Sequence, residues 1–237
     1  MEKNKKRVVI IGTSTTAKTV SAFIEYYGLF DILGFAVNKQ YLQKSTFCDK
    51  PVFAIEELTK VINKSEDLLF VAIQWNKLNA DRRKVYETLK QDGYQFANII
   101  SPSAVIHGKL LGDNCWVGDN AVIDFGSIVG SDCFIKNQAY ISYNNKIGDH
   151  CFIGAKSLIA GSCQIGEQCF VGLNATVFDC TTVGNKCIVG ACTAVKRNMP
   201  DFSKISTASD SYKFKQYAEN EVEEKLMFSK NVRKLSN

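Results

Sequence analysis

An aliphatic residue recurs at every sixth position from Val105 to Val195, and few folds tolerate that period. The series runs Val105, Leu111, Val117, Ile123, Val129, Ile135, Ile141, Ile147, Ile153, Ile159, Ile165, Val171, Val177, Val183, Val189 and Val195. Neither an amphipathic helix nor a coiled-coil heptad repeats every six residues. The period is that of a parallel β-helix built from hexapeptides. Glycine often follows the aliphatic residue, as at Gly118, Gly130, Gly148, Gly154 and Gly172, and is expected to serve the corner turns. The chain has three prolines, Pro51, Pro102 and Pro200, so the repeat block is free of them.

Three hexads make one triangular coil of 18 residues, and residues 18 apart stack at about 4.8 Å. The positions just before the aliphatic residue on one face are Trp116, Phe134, Phe152, Phe170 and Ile188. Side chains alternate along a strand, so these five are predicted to point outward as a continuous apolar ladder. A stripe of this length is not left wet. The expectation is that another subunit covers it, with the chain's own tail as the alternative. The same arithmetic places six of the nine cysteines: Cys115, Cys133, Cys151, Cys163, Cys169 and Cys187 lie two residues before an aliphatic position, and so point inward as small hydrophobes. There is no C-x-x-C pair and there are two histidines, so a metal site is not expected.

Residues 1–98 alternate strand and helix patterns: strands at 7–12, 32–37 and 68–73, helices at 16–27, 55–62 and 76–91. That order predicts a parallel sheet. Three divisions follow: an α/β domain at 1–98, a β-helix at 99–200 and a polar tail at 201–237, expected to be helical over 219–234 and to cap the solenoid. The apolar run at 8–11 is too short for a secretory leader, and no stretch approaches about 18 apolar residues. A cytoplasmic protein without disulfides is expected. The net charge of +5 is diffuse, +4 over 1–98 and zero over 99–200. No basic stripe marks a nucleic-acid partner.

The first strand runs into Gly12, Thr13 and Ser14 and then a helix, a turn suited to a phosphate. A plain strand–helix turn reads equally well, because Ser14 and Ala17 stand at two of the glycine places of G-x-G-x-x-G. Ligands of open α/β sheets bind at the strands' carboxyl ends, which here carry Asn38 after the second strand and Gln74 and Trp75 after the third. Trp75 either stacks on a base or joins the core. Asn38 stands where an acidic residue would hold a dinucleotide's ribose, which disfavours a dinucleotide.

A small Rossmann-like domain followed by a hexapeptide left-handed β-helix resembles the bacterial sugar acyltransferases related to sialic acid O-acetyltransferase. The resemblance covers about residues 6–207. It is carried by segments 8–17, 34–37, 47–48, 70–73, 100–102 and the repeat block. It implies that residues 1–98 bind a nucleotide-linked sugar and that acyl-CoA, acetyl-CoA or longer, is co-substrate. It also implies a homotrimer with CoA between neighbouring subunits. By the same resemblance Gly161, Ala191, Lys196 and Arg197 fall where CoA is contacted. A cation at Arg197 suits a CoA phosphate, and a surface arginine closing the coil is the alternative.

This chain departs from that family at the expected general base. The family's histidine and its neighbour fall on Tyr143 and Asn144, and a second family histidine, near the acyl group, falls on Phe152. Of the two histidines present, His107 lies two coils below Tyr143 in the same column, and His150 is expected to face outward. A sugar hydroxyl needs a base as it attacks, whereas a neutral amine attacks a thioester unaided. The sequence therefore favours N-acylation of an amino-deoxy sugar. Tyr143 and Asn144 are candidates to orient the acceptor, and Asp124 to accept the proton. Asn145 reads as structural. The alternatives are an O-acyltransferase using His107 or His150, and a non-catalytic nucleotide-binding homologue.

Overall fold

The computed structural model describes residues 5–110 and 112–206. The chain divides into two compact units, Met1–Thr207 and Ala208–Asn237. The second unit lies outside the described residues, as do the tail helix expected at 219–234 and Leu111 of the hexad series. The first residues of the tail continue the repeat: Lys204–Ile205 pairs in parallel with Ile188–Val189.

The amino-terminal part is a mostly parallel sheet. Its strands are β1 (Arg7–Ile11), β2 (Asp31–Val37), β3 (Thr46–Phe47), β4 (Lys50–Ala54), β5 (Leu68–Val71) and β6 (Gln95–Phe96), in the order β3-β4-β2-β1-β5-β6. Only the β3–β4 hairpin is antiparallel, turned by Cys48 and Asp49 at φ 48° and 58°. Central β1 is buried on both sides, as its Val-Val-Ile-Ile run requires. Helix α1 (Thr15–Tyr27) starts at Ser14 and ends at Gly28 in the left-handed region, which glycine adopts without strain. Helix α2 spans Ala80–Gln91. The expected start at 76 is too early, because Lys77, Leu78 and Asn79 all have positive φ, between 49° and 64°. The expected helix at 55–62 is instead a 3-10 segment, Ile55–Lys60.

From Ile99 the chain winds as stacked two-residue strands that form three parallel sheets, the arrangement of a left-handed β-helix. Face one runs from Ile99–Ile100 through Trp116–Val117, Phe134–Ile135, Phe152–Ile153 and Phe170–Val171 to Ile188–Val189. Face two includes Val122–Ile123, Tyr140–Ile141, Leu158–Ile159, Thr176–Val177 and Ala194–Val195. Face three includes Ile128–Val129, Lys146–Ile147, Gln164–Ile165 and Thr182–Val183. Partners are 18 residues apart, as Trp116↔Phe134 and Tyr140↔Leu158 show. Inward aliphatics and the six expected cysteines, all with no exposed surface, fill one core.

Three expectations about this block are corrected. The first coil is out of register: Val105 pairs with Val122 on the outer side and Ile106 takes the inward place, because two adjacent apolar residues satisfy the hexad equally. Val105 is accordingly exposed. The glycines after the aliphatic residues do not supply the left-handed corners. Those φ values belong to Asn120, Asp132, Gln138, His150, Gln168 and their equivalents. The glycines are needed for stacking: a Cβ on Gly154 would lie 2.6 Å from the Gly172 carbonyl carbon, and one on Gly172 2.4 Å from the Ala191 nitrogen.

The third correction concerns the ladder. Trp116, Phe134 and Phe152 are buried within one chain, against Val8, Ile10, Val20, Ile24 and Phe70 of the amino-terminal part. Phe70 stacks on Phe134 at 5.9 Å, Phe23 meets Trp116 edge-on at 5.9 Å, and Trp75 lies over Phe152 and Phe170 at 5.4 and 6.2 Å. The amino-terminal sheet and α1, not a second subunit, cover face one. Two amphipathic surfaces with complementary apolar faces on one chain bury each other without a partner.

A polar column runs beside the ladder. Asn114, Asp132, His150 and Gln168, each 18 residues from the next, are buried at successive corners. Arg82, fully buried, donates to the Asp132 carboxylate (2.9 Å) and carbonyl (2.8 Å) and lies over the Phe134 ring. His150 Nδ1 is 2.9 Å from Asp132 Oδ2. Asn114 binds Asp132 at 2.6 Å and accepts from the Val71 amide at 2.8 Å. His150 therefore faces the sheet domain rather than solvent, because the left-handed corner turns it toward α2.

Candidate functional site

Two surfaces hold the residues that the sequence singles out. The first is a cleft of about 780 Å³ at the carboxyl edge of the sheet, between α2 and the ends of β1 and β2. Gly12, Thr13, Ser14 and Asn38 line it, together with Ile11, Val37, Tyr41, Ile55, Lys77, Lys84 and Asp92 among others. β1 delivers Gly12 with φ 115°, where a side chain would be strained and would press on the Ala72 carbonyl. Ser14 then caps α1 without a side-chain hydrogen bond into the helix. The first-turn amides are thus left for solvent or a ligand, at the positive end of the helix. Gln74 and Trp75 do not line this cleft. Trp75 is half-exposed and rests on the upper ladder, apart from Gly12, Thr13, Ser14 and Asn38.

The second surface is the corner that follows face two. His107, Phe125, Tyr143, Gly161, Asp179 and Arg197 rise through it at 18-residue spacing. The His107 and Phe125 rings stack in parallel at 4.3 Å. The Tyr143 ring lies flat over Gly161, whose Cα would carry a Cβ only 2.4 Å from Tyr143 Cζ. The Gly161 amide donates to Asp179 Oδ1 at 2.9 Å. Asn144 sits at the left-handed corner beside Tyr143, with its amide donating to the Phe125 carbonyl at 3.0 Å. Asp124 is half-buried: its Oδ1 accepts the Phe125 amide at 2.8 Å and its Oδ2 the Tyr140 hydroxyl at 3.0 Å. Tyr143, Asn144, Asp124, Gly161 and His107 therefore gather on one exposed corner. Lys196, above the Phe178 ring at 5.5 Å, and exposed Arg197 continue it upward.

Ala191 and Phe152 lie elsewhere. Ala191 is exposed on the corner that precedes face two, at its opposite edge. Phe152 is buried on face one, stacked on Phe170 at 4.9 Å and capped by Trp75. Asn145 is buried and structural: it accepts the Cys163 amide at 2.7 Å and donates to the Ser142 carbonyl. Between the two edges, face two exposes Val105, Tyr140 and Leu158, flanked by Phe125, Tyr143 and Phe178. Face three is polar at most of the same outward positions, with Lys146, Gln164 and Thr182 following half-buried Ile128.

Sequence reasoning missed the buried column at Asn114, Asp132, His150 and Gln168. Its signal was available, since stepping by 18 from Asn114 meets only polar residues, beside an apolar ladder on the same step. Among the described residues no group of three or more His, Cys, Asp or Glu side chains gathers to hold a metal. No helix among them is long and apolar enough to cross a membrane.

The repeats match two family models. The bacterial transferase hexapeptide (six repeats) matches residues 146–179, and the hexapeptide repeat of succinyl-transferase matches 110–143 and 163–197. Both are models of transferase hexapeptide repeats, and both match within the β-helix. Among solved structures it is similar to a histidine-to-asparagine variant of perosamine N-acetyltransferase from Caulobacter crescentus, in complex with CoA and GDP-perosamine. The two are 29% identical over 83% of this chain and 91% of that one, with a TM-score of 0.74. The acetyltransferase domain of PglB from Neisseria gonorrhoeae FA1090 aligns at 21% identity, over 85% of this chain and 97% of that one, with a TM-score of 0.73. WeeI from Acinetobacter baumannii AYE aligns at 17%, over 84% and 96%, with a TM-score of 0.66. The last two likenesses are of fold. No curated protein sequence matches the chain.

Proposed function

We propose that the chain is an N-acyltransferase that moves an acyl group from acyl-CoA to the amino group of a nucleotide-linked amino-deoxy sugar. The observation that carries this reading is the corner at Tyr143 and Asn144. It offers hydroxyl, amide and, beside them, the Asp124 carboxylate, but no histidine poised as base. His150 is committed to Asp132 in the buried seam, and the His107 ring is stacked on Phe125 two coils lower. A neutral sugar amine needs no base to attack the thioester carbon. The C–N bond forms, the C–S bond breaks, and the amine's proton leaves to Asp124, water or the thiolate. Catalysis then rests on holding amine and thioester in line, with amide donors for the oxyanion. The likeness to a perosamine N-acetyltransferase with CoA and GDP-perosamine bound supports the same class.

In this reading residues 1–98 are a Rossmann-like nucleotide-sugar domain, with Gly12, Thr13, Ser14 and Asn38 in its cleft, and residues 99–200 carry acyl transfer. CoA lies along Gly161, Lys196 and Arg197. Ala191 stands at the other edge of face two, so one CoA touches both sets only where two copies meet. Exposed Tyr140 and Leu158 supply the apolar surface between them, as a homotrimer requires. The test is release of free thiol from acetyl-CoA in the presence of a nucleotide-linked 4-amino-4,6-dideoxy sugar. The His107→Ala variant is expected to retain the rate and to give an amide product. Loss of the rate in that variant, with an ester as the wild-type product, would instead establish O-acylation.

A further inference from the structure

His107, Phe125 and Tyr143 put a ring into each of three successive coils of one corner column, but the rings do not stack evenly. Phe125 lies on His107, 4.3 Å away and 6° from parallel. Tyr143 leans the other way, and its ring fills the place that a Cβ on Gly161, one coil later, would need. Among the described residues no ring contact joins Phe125 to Tyr143. Successive coils rise by about 4.8 Å, so two rings that lean apart leave a slot wider than one ring stack. Phe125 is 64% exposed, and the face it does not share with His107 looks into that slot.

The rim of the slot is polar and held in place. Asn144 reaches back toward the Phe125 coil: its Oδ1 takes the place of a Cβ on Gly126, and its backbone amide donates to the Phe125 carbonyl at 3.0 Å. Gly126 has φ 72°, which glycine adopts without strain. Asp124 accepts the Phe125 amide at 2.8 Å and the Tyr140 hydroxyl at 3.0 Å, and its carboxylate keeps lone pairs for a further donor. An apolar floor with acceptors along its edge suits a pyranose, which has a face of C–H groups and an edge of hydroxyl and amine groups. His107 is placed as a support. Neither of its ring nitrogens has a hydrogen-bond partner among the described residues, so no carboxylate orients it as a general base would be oriented.

We infer that Phe125 is the floor on which the acceptor sugar lies, and that His107 is a positioning residue that holds Phe125 flat. The pyranose sets its C–H face on Phe125, below Tyr143, and turns its amine and hydroxyls to Asn144 and Asp124. The inference rests on the acyl-transfer reading above and adds the residues that select the sugar. A hydroxyl or an anionic group projecting from the stacked face would lose its water against an apolar ring, so sugars that carry one are disfavoured. Fixing the plane of the sugar fixes the line along which its amine approaches the thioester. His107 acts through Phe125 and moves no proton.

Steady-state thiol release from acetyl-CoA, with GDP-, UDP- and TDP-linked 4-amino-4,6-dideoxy sugars and the full chain, tests this. Phe125→Ala is expected to raise KM for the accepted sugar nucleotide about tenfold or more, as for an aromatic face no longer covered, and to leave KM for acetyl-CoA unchanged. His107→Ala is expected to keep kcat and to raise the same KM by a smaller factor. His107→Phe restores a flat ring that cannot act as a base, and is expected to bring that KM back. Phe202→Ala removes an exposed ring from a different corner and is the control. An unchanged sugar KM in Phe125→Ala, with an amide still formed, would overturn the platform and leave the acyl-transfer reading standing. Loss of kcat in both His107 variants would make His107 a base and overturn its supporting role. If no sugar turns over, saturation-transfer NMR with the same sugar nucleotides decides. Saturation that passes from aromatic protons to the sugar-ring protons in the wild type, and is lost in Phe125→Ala, would uphold the platform while the acyl-transfer reading falls. No such transfer in the wild type would overturn both.

Discussion

Gly161 decides where Tyr143 lies. The ring occupies the volume a Cβ would need, so Gly161→Ala has to push the phenol off the corner. We expect this variant to fold, since the clash is with one exposed side chain, and to lose at least about tenfold in thiol release if Tyr143 orients the acceptor. A parallel Tyr143→Phe variant separates ring position from hydroxyl: it should keep the stack and lose only the hydroxyl's share. Lys136 is the other residue with a readable consequence. Its ammonium sits 3.2 Å from the Trp116 ring centroid at the domain seam, and burial pulls its pKa from 10.5 down to about 8, partly opposed by Asp119. Between about pH 8 and 10.5 the unfolded chain holds a proton that the folded chain has released. Stability from this group therefore rises with pH through that window, by at most a few kcal/mol. The denaturant midpoint of the wild type relative to Lys136→Met should therefore rise from pH 8 to 10.5, on top of the opposite slope that buried tyrosines and thiols with raised pKa give both proteins.

At the scale of elements the seam between sheet and solenoid carries the structure. Arg82 from α2 and Asp132 from a β-helix corner form an ion pair with no exposed side-chain surface. Removing one partner leaves the other charged and buried, so Arg82→Met is expected to cost about 3–5 kcal/mol in chemical denaturation. The solenoid itself was legible in the sequence because its period is strict and its inward positions admit only aliphatic or small side chains. Val105 and Ile106 mark where legibility stops, since two neighbouring apolar residues leave the first coil's register undecided. The ladder's outward direction was legible too, but its cover was not. A stripe states that it is buried, while the identity of the opposing face is set by long-range packing. α2 shows the same limit, because the residues at 76–79 suit a helix until Gln168 and His150 hold them in a left-handed turn. The corner at Tyr143, Asn144 and Asp124 follows from counting by 18, whereas the cleft needed the sheet order before its two walls could be matched.

At the scale of the whole molecule, covering face one from within leaves face two as the apolar surface without cover among the described residues. Val105, Tyr140 and Leu158 are exposed there, whereas face three presents Lys109, Lys146, Gln164 and Thr182 outward with half-buried Ile128 among them. Light scattering should give three times the chain mass for the wild type, and Leu158→Glu should shift it toward the monomer with the fold retained by circular dichroism. If the proposed CoA site between copies is right, the same variant should lose acyl transfer, because Gly161 and Arg197 stand on one edge of face two and Ala191 on the other. Binding of a nucleoside diphosphate in the sheet cleft, within one chain, should survive it.

The central claim is acyl transfer to an amine at a corner without a histidine base. It is tested most directly by following free thiol from acetyl-CoA with a nucleotide-linked 4-amino-4,6-dideoxy sugar and identifying the product by mass spectrometry and NMR. The account predicts turnover to an N-acyl sugar nucleotide, retained in His107→Ala. An O-acyl product, or no thiol release across acyl-CoAs and amino-sugar nucleotides from a protein that binds both, would contradict it.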